Sequence, residues 1–206
     1  MKEERLAWYP AETDVSIRPG WFYHEEEDDK VRSFENLKDI YLKSVGGNTT
    51  LLLNIPPMKN GKIHPTDIQL GDFIKESFSN NLVEEAGITT IPPLDCREMS
   101  PEVLRTDDYE TYFLNEAGTN KLVIKIKWIE RKKLHYLVLK EAIPLSQRVE
   151  AFNVCYEENG SIKKCYEGTT IGYKRIVDLK GIHTDSLAIV IEDSRVAPAM
   201  AFVGVY

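Results

Sequence analysis

The fold of this chain is decided by the stretch Trp8–His24, WYPAETDVSIRPGWFYH. The stretch combines two Trp, two Tyr and one Phe with two carboxylates, an Arg and a His. A solvated loop does not need so many aromatic rings, and an ordinary buried strand does not accommodate so many charges. Aromatic faces beside Arg and carboxylate groups suit a ligand that has apolar C–H faces and hydroxyl edges, such as a sugar.

The first half of this stretch predicts a β-strand, because residues 12–17 alternate with the period of two that strands have. Glu12 and Asp14 would then share one face, with α-carbons about 6.6 Å apart. Pro19-Gly20 predicts a turn that ends the strand and places residues 21–24 above its end. The alternative is an amphipathic strand with a solvated acidic face. The aromatic run after the turn favours a binding surface, because exposed aromatic residues in a loop usually have a partner.

The following residues predict strand–helix units. Ser33 is a plausible N-cap for a helix with apolar residues at helical spacing, which Gly46-Gly47 ends. The run Leu51–Ile55 is continuous, mostly apolar and closed by two Pro residues, which is typical of a strand buried on both faces of a parallel sheet. A second helix is predicted to begin near Thr66-Asp67 and to end at Asn80-Asn81. The order strand, helix, strand, helix is the repeating unit of an α/β sheet or barrel.

Asn54 lies at the end of the second predicted strand. Barrel enzymes place site residues at this end of their strands. A cap on the loop that follows the strand is an equally good interpretation, and the residues alone do not decide between them.

The character of the chain changes after Asn81. The segment 88–93 predicts a linker or an edge strand, because its Pro residues exclude a central strand. From Tyr112 onward, short β-type runs are separated by turn signals, among them Asn159-Gly160 and Lys180-Gly181, which predicts an antiparallel β-sandwich. These runs are Leu122–Trp128, His135–Glu141, Val149–Tyr156, Ile162–Tyr166, Tyr173–Leu179, Leu187–Ile191 and Met200–Val205. We therefore divide the chain into an α/β region at 1–81, a linker at 82–93 and a β-sandwich at 94–206.

Five aromatic residues of the predicted sandwich are candidate sugar-binding platforms. They are Trp128, Tyr136, Tyr156, Tyr166 and Tyr173. The favoured interpretation is structural, because aromatic residues on strands mostly fill cores and form cross-strand pairs.

Composition and charge exclude several classes of protein. With 42% apolar and 29% charged residues, the composition is that of a globular chain. The net charge of −7 is spread without a basic patch, so no nucleic-acid partner is expected. The run Glu25–Lys30 is interpreted as a solvated loop. No apolar run approaches the roughly 20 residues that span a bilayer, and Met1–Arg5 does not lead into a signal-peptide core. We expect no membrane association, and the residues indicate no compartment.

The three cysteines form neither a disulfide framework nor a metal-binding spacing. Cys155 and Cys165 flank Asn159-Gly160 and could face each other across a hairpin. Reduced cysteines are the commoner case in a domain of this size, so a disulfide is the less favoured alternative. No metal or other cofactor is expected.

Several blocks of the sequence resemble the α-L-fucosidase glycosidases in order and spacing. The resemblance spans roughly Trp8–Phe78, and a weaker likeness to the C-terminal β-domain of the family covers the remainder. The blocks that carry it are Trp8–Glu12, Arg18–His24, Ser44–Asn48, Leu51–Pro57 and Gly61–Ile63. The fold that this implies is α/β plus all-β, the last strand–helix units of a (β/α)8-type barrel followed by an antiparallel β-sandwich.

The resemblance also implies roles for individual residues. Glu12 stands in the Trp-x-Pro-x-Glu block of the family, which also contains Trp8, and is expected to contact the substrate or, as the less favoured role, to be the acid/base. The loop that lines the fucose-adjacent subsite is matched by Arg18, Trp21 and His24. Asp14 is either a ligand for the sugar or an internal structural carboxylate. Asn54, at the end of the next strand, completes the set of candidate substrate contacts.

The resemblance implies an enzyme that releases L-fucose from glycans with retention of configuration. Such enzymes use a carboxylate nucleophile and a second carboxylic acid. The family carries its nucleophile on a middle barrel strand, and no block of this sequence resembles that strand. We therefore expect the chain to be the C-terminal portion of an α-L-fucosidase, inactive by itself, with a fucosylated glycan as ligand and a partner chain as one source of the remaining strands. The alternative is a non-catalytic fragment whose β-sandwich binds carbohydrate or is purely structural.

Overall fold

The structure is a computed structural model that describes residues 11–91, 100–108 and 110–206. Trp8 and Cys96, singled out above, lie outside the described residues. The contacts divide the chain into two units, Met1–Phe73 and Ile74–Tyr206, which we call the first and second units. In the part of the chain that the structure describes, no helix has the length and apolar character needed to cross a membrane.

The first unit contains the predicted strand, helix and strand in that order. They are β1 (Glu12–Ser16), α1 (Phe34–Ser44) and β2 (Thr50–Asn54), and α2 (Gln69–Ser77) begins in this unit after a short 3-10 helix at Pro65–Ile68. The strands β1 and β2 pair in parallel, in a register that runs from Glu12 opposite Thr50 to Ser16 opposite Asn54. Parallel pairing through an intervening helix confirms the predicted α/β character of this region.

The helix α1 begins at its predicted cap. The side chain of Ser33 accepts a hydrogen bond from the backbone N–H of Asn36, which satisfies one of the free donors of the first turn. Leu37 and Tyr41 are buried on one face of α1, and the ring of Phe73 meets that of Tyr41 edge to face at 6.2 Å. This aromatic and aliphatic cluster is the core of the first unit.

The opposite face of the β1–β2 pair is open. Glu12 and Asp14 are exposed there, and the side chain of Leu52 is 56% exposed. The prediction of a strand buried on both faces is therefore wrong for β2 in this structure. Among the described residues its sheet has two strands, so each strand keeps one edge without a hydrogen-bonding neighbour.

The second unit is built on an antiparallel sheet, which agrees with the all-β region expected from the sequence. The described strands pair in the order β4-β9-β5-β8-β6-β7, and β3 pairs with β5 outside this path. The strands are β3 (Gly87–Ile91), β4 (Phe113–Leu114), β5 (Leu122–Glu141), β6 (Val149–Glu158), β7 (Ser161–Gly168), β8 (Arg175–Ser194) and β9 (Ala199–Val205).

The two central strands are longer than predicted. β5 joins two predicted runs and β8 joins two more. In β8 the runs are continuous because Lys180-Gly181 is not the turn that its composition indicated. Lys180 and Gly181 have φ of 54° and 74°, and the register of β5 against β8 shifts between Leu134 and Tyr136. Lys180 and Gly181 therefore form a bulge that bends β8 without ending it.

Because β5 is 20 residues long, it pairs with different strands along its two halves. Its first half pairs with β3, from Val123 to Lys127, and its second half pairs with β9, from Leu137 to Glu141. Side chains from both halves enter one hydrophobic core. Strands that pass from one layer to the other in this way are consistent with a β-sandwich.

The segment 82–93, predicted as a linker, is structured over its described part. Leu82–Glu85 is a 3-10 helix, and β3 follows as an edge strand, which is the alternative that the sequence allowed. The Nε1 of Trp128 donates to the carbonyl of Leu82 at 2.8 Å. The domain boundary at residue 81 stays a prediction.

The aromatic residues of the second unit mostly have structural surroundings. Trp128 and Tyr136 are buried, and Tyr166 packs against Phe152 in the core. Tyr173 is half exposed.

The thiols of Cys155 and Cys165 are free. Burial raises the pKa of the Cys165 thiol to about 11, and the nearby Cys155 adds to the shift.

Candidate functional site

The candidate site is the loop that follows β1, which is held at the carboxyl ends of both parallel strands. Asn54, the last residue of β2, donates from Nδ2 to the Oγ of Ser16 at 3.1 Å and to the carbonyl of Trp21 at 3.0 Å. The hydroxyl of Ser16 donates to the carbonyl of Gly20 at 2.6 Å. One amide thus fastens the loop to the ends of two strands, which is the capping role left open by the sequence.

The loop is also held by the buried guanidinium group of Arg18. Arg18 donates from Nε to Asp67 Oδ2 at 3.0 Å and from Nη2 to Asp67 Oδ1 at 3.2 Å, and from Nη1 to Asp28 Oδ1 at 2.8 Å. The side chains of Arg18 and Asp67 are both fully buried. Burial alone would lower the pKa of Arg18, but the hydrogen bonds to Asp67 and Asp28 outweigh it and raise the pKa.

Asp28 joins this anchor to the aromatic part of the loop. Its Oδ2 accepts a hydrogen bond from the hydroxyl of Tyr23 at 3.1 Å and lies 3.6 Å from Nε2 of His64. Burial acts to raise the pKa of Asp28, but hydrogen bonds from Arg18 and Tyr23 hold it below its ordinary value. The guanidinium of Arg18 also lies 4.7 Å from the centre of the Tyr23 ring.

The anchored loop presents its remaining rings to solvent. Trp21 is 52% exposed and Phe22 is 77% exposed. His24 is exposed, with Nδ1 3.9 Å from a carboxylate oxygen of Glu26. Exposed aromatic side chains on a fixed loop form a surface that a ligand with apolar faces can contact.

The two carboxylates of β1 lie on the open face of the sheet, Asp14 in the middle of the strand and Glu12 at its amino end. Glu12 stands opposite Thr50 and Asp14 opposite Leu52, and both carboxylates are exposed. No described side chain donates a hydrogen bond to either group, so nothing in this part of the chain fixes their orientation.

The predicted site residues lie along the β1–β2 pair and differ in environment. Four of them lie at the carboxyl ends of the strands or in the loop that follows β1, namely Arg18, Trp21, His24 and Asn54, whereas Glu12 is at the amino end of β1. Trp21 and His24 are exposed on the loop, Glu12 and Asp14 are exposed on the open sheet face, and Arg18 is buried. Because the contacts of Arg18 run to Asp28 and Asp67, the structure places it as a support of the loop and not as a surface residue. Trp8 lies outside the described residues.

Sequence reasoning missed the carboxylates that hold Arg18. Asp28 falls in the run Glu25–Lys30, and its contact with Arg18 corrects the interpretation of that run as a solvated loop. For Asp67 the sequence predicted only a position at the start of a helix. Contacts between residues 10 and 49 positions apart leave no local pattern, so the sequence carried no signal for either ion pair.

We found no metal centre in this arrangement. Among residues 11–91, 100–108 and 110–206, no group of three His, Cys, Asp or Glu side chains is placed to hold an ion.

Comparison with known proteins shows which enzymes the chain resembles. No protein-family model matches the chain. Alpha-L-fucosidase 1 of Arabidopsis thaliana is 33% identical to it over 97% of its length. The chain is therefore similar to α-L-fucosidases along nearly its whole length. It spans 41% of the length of that relative, so it corresponds to a part of such an enzyme.

Solved structures of α-L-fucosidases have the same fold. The crystal structure of a protein assigned as an α-L-fucosidase from Bacteroides thetaiotaomicron matches with a TM-score of 0.89 and 37% identity, over 97% of this chain and 45% of that one. A GH29 fucosidase of Ruminococcus gnavus in complex with fucose matches with a TM-score of 0.88 and 28% identity, over 98% of this chain and 42% of that one.

Proposed function

We propose that this chain is the C-terminal portion of a retaining α-L-fucosidase, an enzyme that releases L-fucose from fucosylated glycans. The first unit would supply the last strand–helix units of a (β/α)8-type barrel, and the second unit its β-sandwich domain. The observation that carries the proposal is the loop of residues 17–24, fixed by Asn54 and Arg18 at the carboxyl ends of two parallel strands. Barrel enzymes build their active sites at this end.

Within this proposal, the exposed residues contact the sugar and the buried ones position them. Trp21 and His24 would line the subsite beside the fucose, and Trp8 would add a further aromatic face. Glu12 and Asp14 would point into the barrel, because the face of β1 that carries them is left open in this chain. Arg18 and Asn54 act indirectly, since their hydrogen bonds fix the backbone that carries Trp21.

We further propose that hydrolysis needs strands beyond those described. A retaining glycosidase needs two carboxyl groups about 5–5.5 Å apart that act on opposite ends of one bond. Glu12 and Asp14 are neighbours on one strand, and the family resemblance places the nucleophile on a strand without a counterpart here. Glu12 is therefore either the acid/base or a substrate contact, with its catalytic partner on the remaining strands.

Complementation tests this proposal. The chain would be assayed for hydrolysis of an aryl α-L-fucoside alone and after co-refolding with the part of the Bacteroides thetaiotaomicron relative that it does not match. We expect no turnover from the chain alone and measurable turnover from the mixture, which a Glu12→Gln variant would reduce or abolish. Turnover by the purified chain, lost in the same variant, would show that the catalytic pair is complete within this sequence.

The second candidate, a non-catalytic carbohydrate-binding or structural fragment, makes a different prediction in the same assay. Fucoside binding without turnover in any mixture would favour a binding fragment. The absence of both would favour a structural one.

A further inference from the structure

The second unit contains an open cavity of about 590 Å³ between the end of β4, the turn before β5 and the segment before β9. Ligand pockets in proteins commonly have volumes of about 300–1,000 Å³, so one sugar ring with a substituent fits in the available space. Two Arg side chains line the cavity, and none of its described lining residues is acidic. The lining of the cavity therefore offers two guanidinium groups in a chain whose net charge is −7.

Arg148 is a pre-positioned donor in this wall. Its Nε donates to the carbonyl of Leu145 at 3.0 Å and its Nη1 donates to the carbonyl of Ala197 at 2.7 Å. These two bonds hold the guanidinium plane in place, while Nη2 has no partner among the described residues. The buried carboxylate of Glu141 lies near, but its oxygens accept from the backbone N–H groups of Arg148, Val149 and Gly172. In the described part of the chain the guanidinium of Arg148 has no carboxylate within ion-pair distance, although its charge helps to lower the pKa of Glu141 against the effect of burial.

Arg195 adds a second cation at the rim. It forms an ion pair from Nε to Glu150 at 2.7 Å, which leaves both of its terminal nitrogens without a partner among the described residues. The fork of an Arg side chain matches a carboxylate or sulfate group, with two parallel hydrogen bonds.

The rest of the wall offers neutral contacts. Asn120 has an exposed amide whose nearest partner is Asp193 at 3.5 Å, so it can bind a hydroxyl group. Leu114 and Val196 supply an apolar surface on the same cavity. Two guanidinium groups, an amide and an apolar wall together suit a ring that has an anionic group, hydroxyl groups and C–H faces.

We propose that this cavity binds a pyranose that carries a carboxylate or sulfate group. Arg148 and Arg195 bind the anionic group, and Asn120 binds a ring hydroxyl. The choice of a sugar over other small anions rests on the proposed function, in which the neighbouring region of the chain acts on glycans. The anion-binding part does not depend on it, because every residue of the cavity belongs to the second unit.

Three sugars that differ only at C6 test the proposal. The full chain would be titrated with galactose, galacturonate and galactose 6-sulfate, with inorganic sulfate as the fourth ligand. Binding would be followed by NMR shifts of the side-chain signals of Asn120 and the Nε–H signal of Arg148. We expect both charged sugars to bind about tenfold more tightly than galactose, because charge-assisted hydrogen bonds are about twice as strong as neutral ones.

Variants separate the cavity from general charge effects. Arg195→Gln leaves the fold intact because the side chain is exposed, and we expect it to weaken galacturonate binding about tenfold. Arg148→Lys keeps the charge but loses the guanidinium plane that the carbonyls of Leu145 and Ala197 hold in place, and should weaken binding as well. Lys125→Gln is the matched control: it removes one exposed positive charge from β5 outside the cavity and should leave binding unchanged.

Each contrary result overturns a defined part of the proposal. Equal binding of galactose and galacturonate would exclude the anionic subsite, as would equal losses in the Arg195→Gln and Lys125→Gln variants. Inorganic sulfate that binds as tightly as galactose 6-sulfate would show an anion site without a sugar site. None of these measurements involves fucoside hydrolysis, so failure here leaves the complementation test untouched.

Discussion

Arg18 and Asp67 form a bidentate ion pair with both side chains fully buried, at 3.0 Å from Nε to Oδ2 and 3.2 Å from Nη2 to Oδ1. Two charges out of contact with water are tolerated only when each is paired and hydrogen-bonded. Here the pair ties the start of the aromatic loop to the segment that precedes α2, so the loop position depends on residues far away in the sequence.

Removal of one partner of the Arg18–Asp67 pair should therefore destabilise the first unit strongly. We expect Asp67→Asn to lower the free energy of unfolding of the first unit by about 3–5 kcal/mol, because Arg18 keeps its buried charge and loses its main partner. Urea unfolding followed by circular dichroism measures the loss. Asp39→Asn is the matched control, since Asp39 forms an exposed pair with Lys43 that should contribute about 0.3–0.5 kcal/mol. Equal effects of the two substitutions would contradict the buried role of Asp67.

Two carboxyl groups should give the two units opposite responses to acid. The pKa of Asp28 is lowered in the folded state, so its stabilising contribution is present above its ordinary value of 3.8 and is lost as the pH falls through the folded value. The pKa of Glu141 is raised by burial, against the three backbone N–H groups that it accepts from. Its contribution is present below 4.5 and is lost as the pH rises through the folded value.

Hydrogen exchange measured at several pH values can follow the two units separately. Below pH 4 we expect protection in α1 to fall while protection in β5 and β8 persists. Asp28→Asn should remove the acid dependence that Asp28 causes in the first unit and leave β5 and β8 unchanged. A parallel loss of protection in all of these elements would contradict the assignment.

Asn54 should control the order of the aromatic loop. Asn54→Ala removes the hydrogen bonds to Ser16 and to the carbonyl of Trp21, of which the first is partly buried and the second exposed, and each such bond contributes about 0.5–1.5 kcal/mol. We expect faster amide exchange in residues 17–24 and weaker binding of fucosides in the complemented enzyme. Asn60→Ala is the control, because Asn60 caps an exposed turn. Unchanged amide exchange in residues 17–24 of the Asn54 variant would show that the contacts of Arg18 alone are sufficient to order the loop.

The second unit should be the part of the chain that resists proteolysis. Its sheet encloses a core that runs from Val83 to Val205, whereas the first unit exposes the open face of a two-stranded sheet. Limited digestion should leave a resistant fragment that begins between residues 74 and 100. Cleavage spread evenly through residues 120–200 would contradict this expectation.

Local patterns in the sequence were sufficient for most elements. The structure confirms the helix predicted from the Ser33 cap and the strand predicted from the Leu51–Ile55 run. It also confirms the hairpin turn at Asn159-Gly160, whose φ angles are 53° and 75°. These features depend on residues within one turn or one strand of each other. That is why one sequence was enough to place them.

The features that were missed depend on distant partners. Lys180-Gly181 has the composition of a turn, but its neighbours on β5 continue the ladder on both sides, so the strand bends without ending. The position of Arg18 is set by Asp28 and Asp67, and no local spacing predicts those contacts. Predictions of element type therefore succeeded here more often than predictions of side-chain environment.

The open face and edges of the β1–β2 pair lead to the last prediction. In a parallel ladder, every second residue of a strand directs its N–H group to the same neighbouring strand. The N–H of Thr50 donates to the carbonyl of Ala11 at 2.8 Å, on the side of β1. The N–H groups of Leu51 and Leu53 therefore point to the opposite edge of β2, away from β1. Leu52 is exposed on the open face, and a large apolar side chain left in water forfeits about 1.5–3 kcal/mol of stabilisation.

We therefore expect the first unit to self-associate or to dock onto strands supplied by another chain. Sedimentation velocity should show concentration-dependent association that Leu52→Glu suppresses. Ile162→Glu, at an exposed position of β7, is the matched control and should not suppress it. In the dilute monomer the amides of Leu51 and Leu53 should exchange quickly, and they should become protected when the remaining barrel strands are added. Strong protection of both amides in a strict monomer would show that β2 is already covered, and the truncated-barrel interpretation would then be wrong.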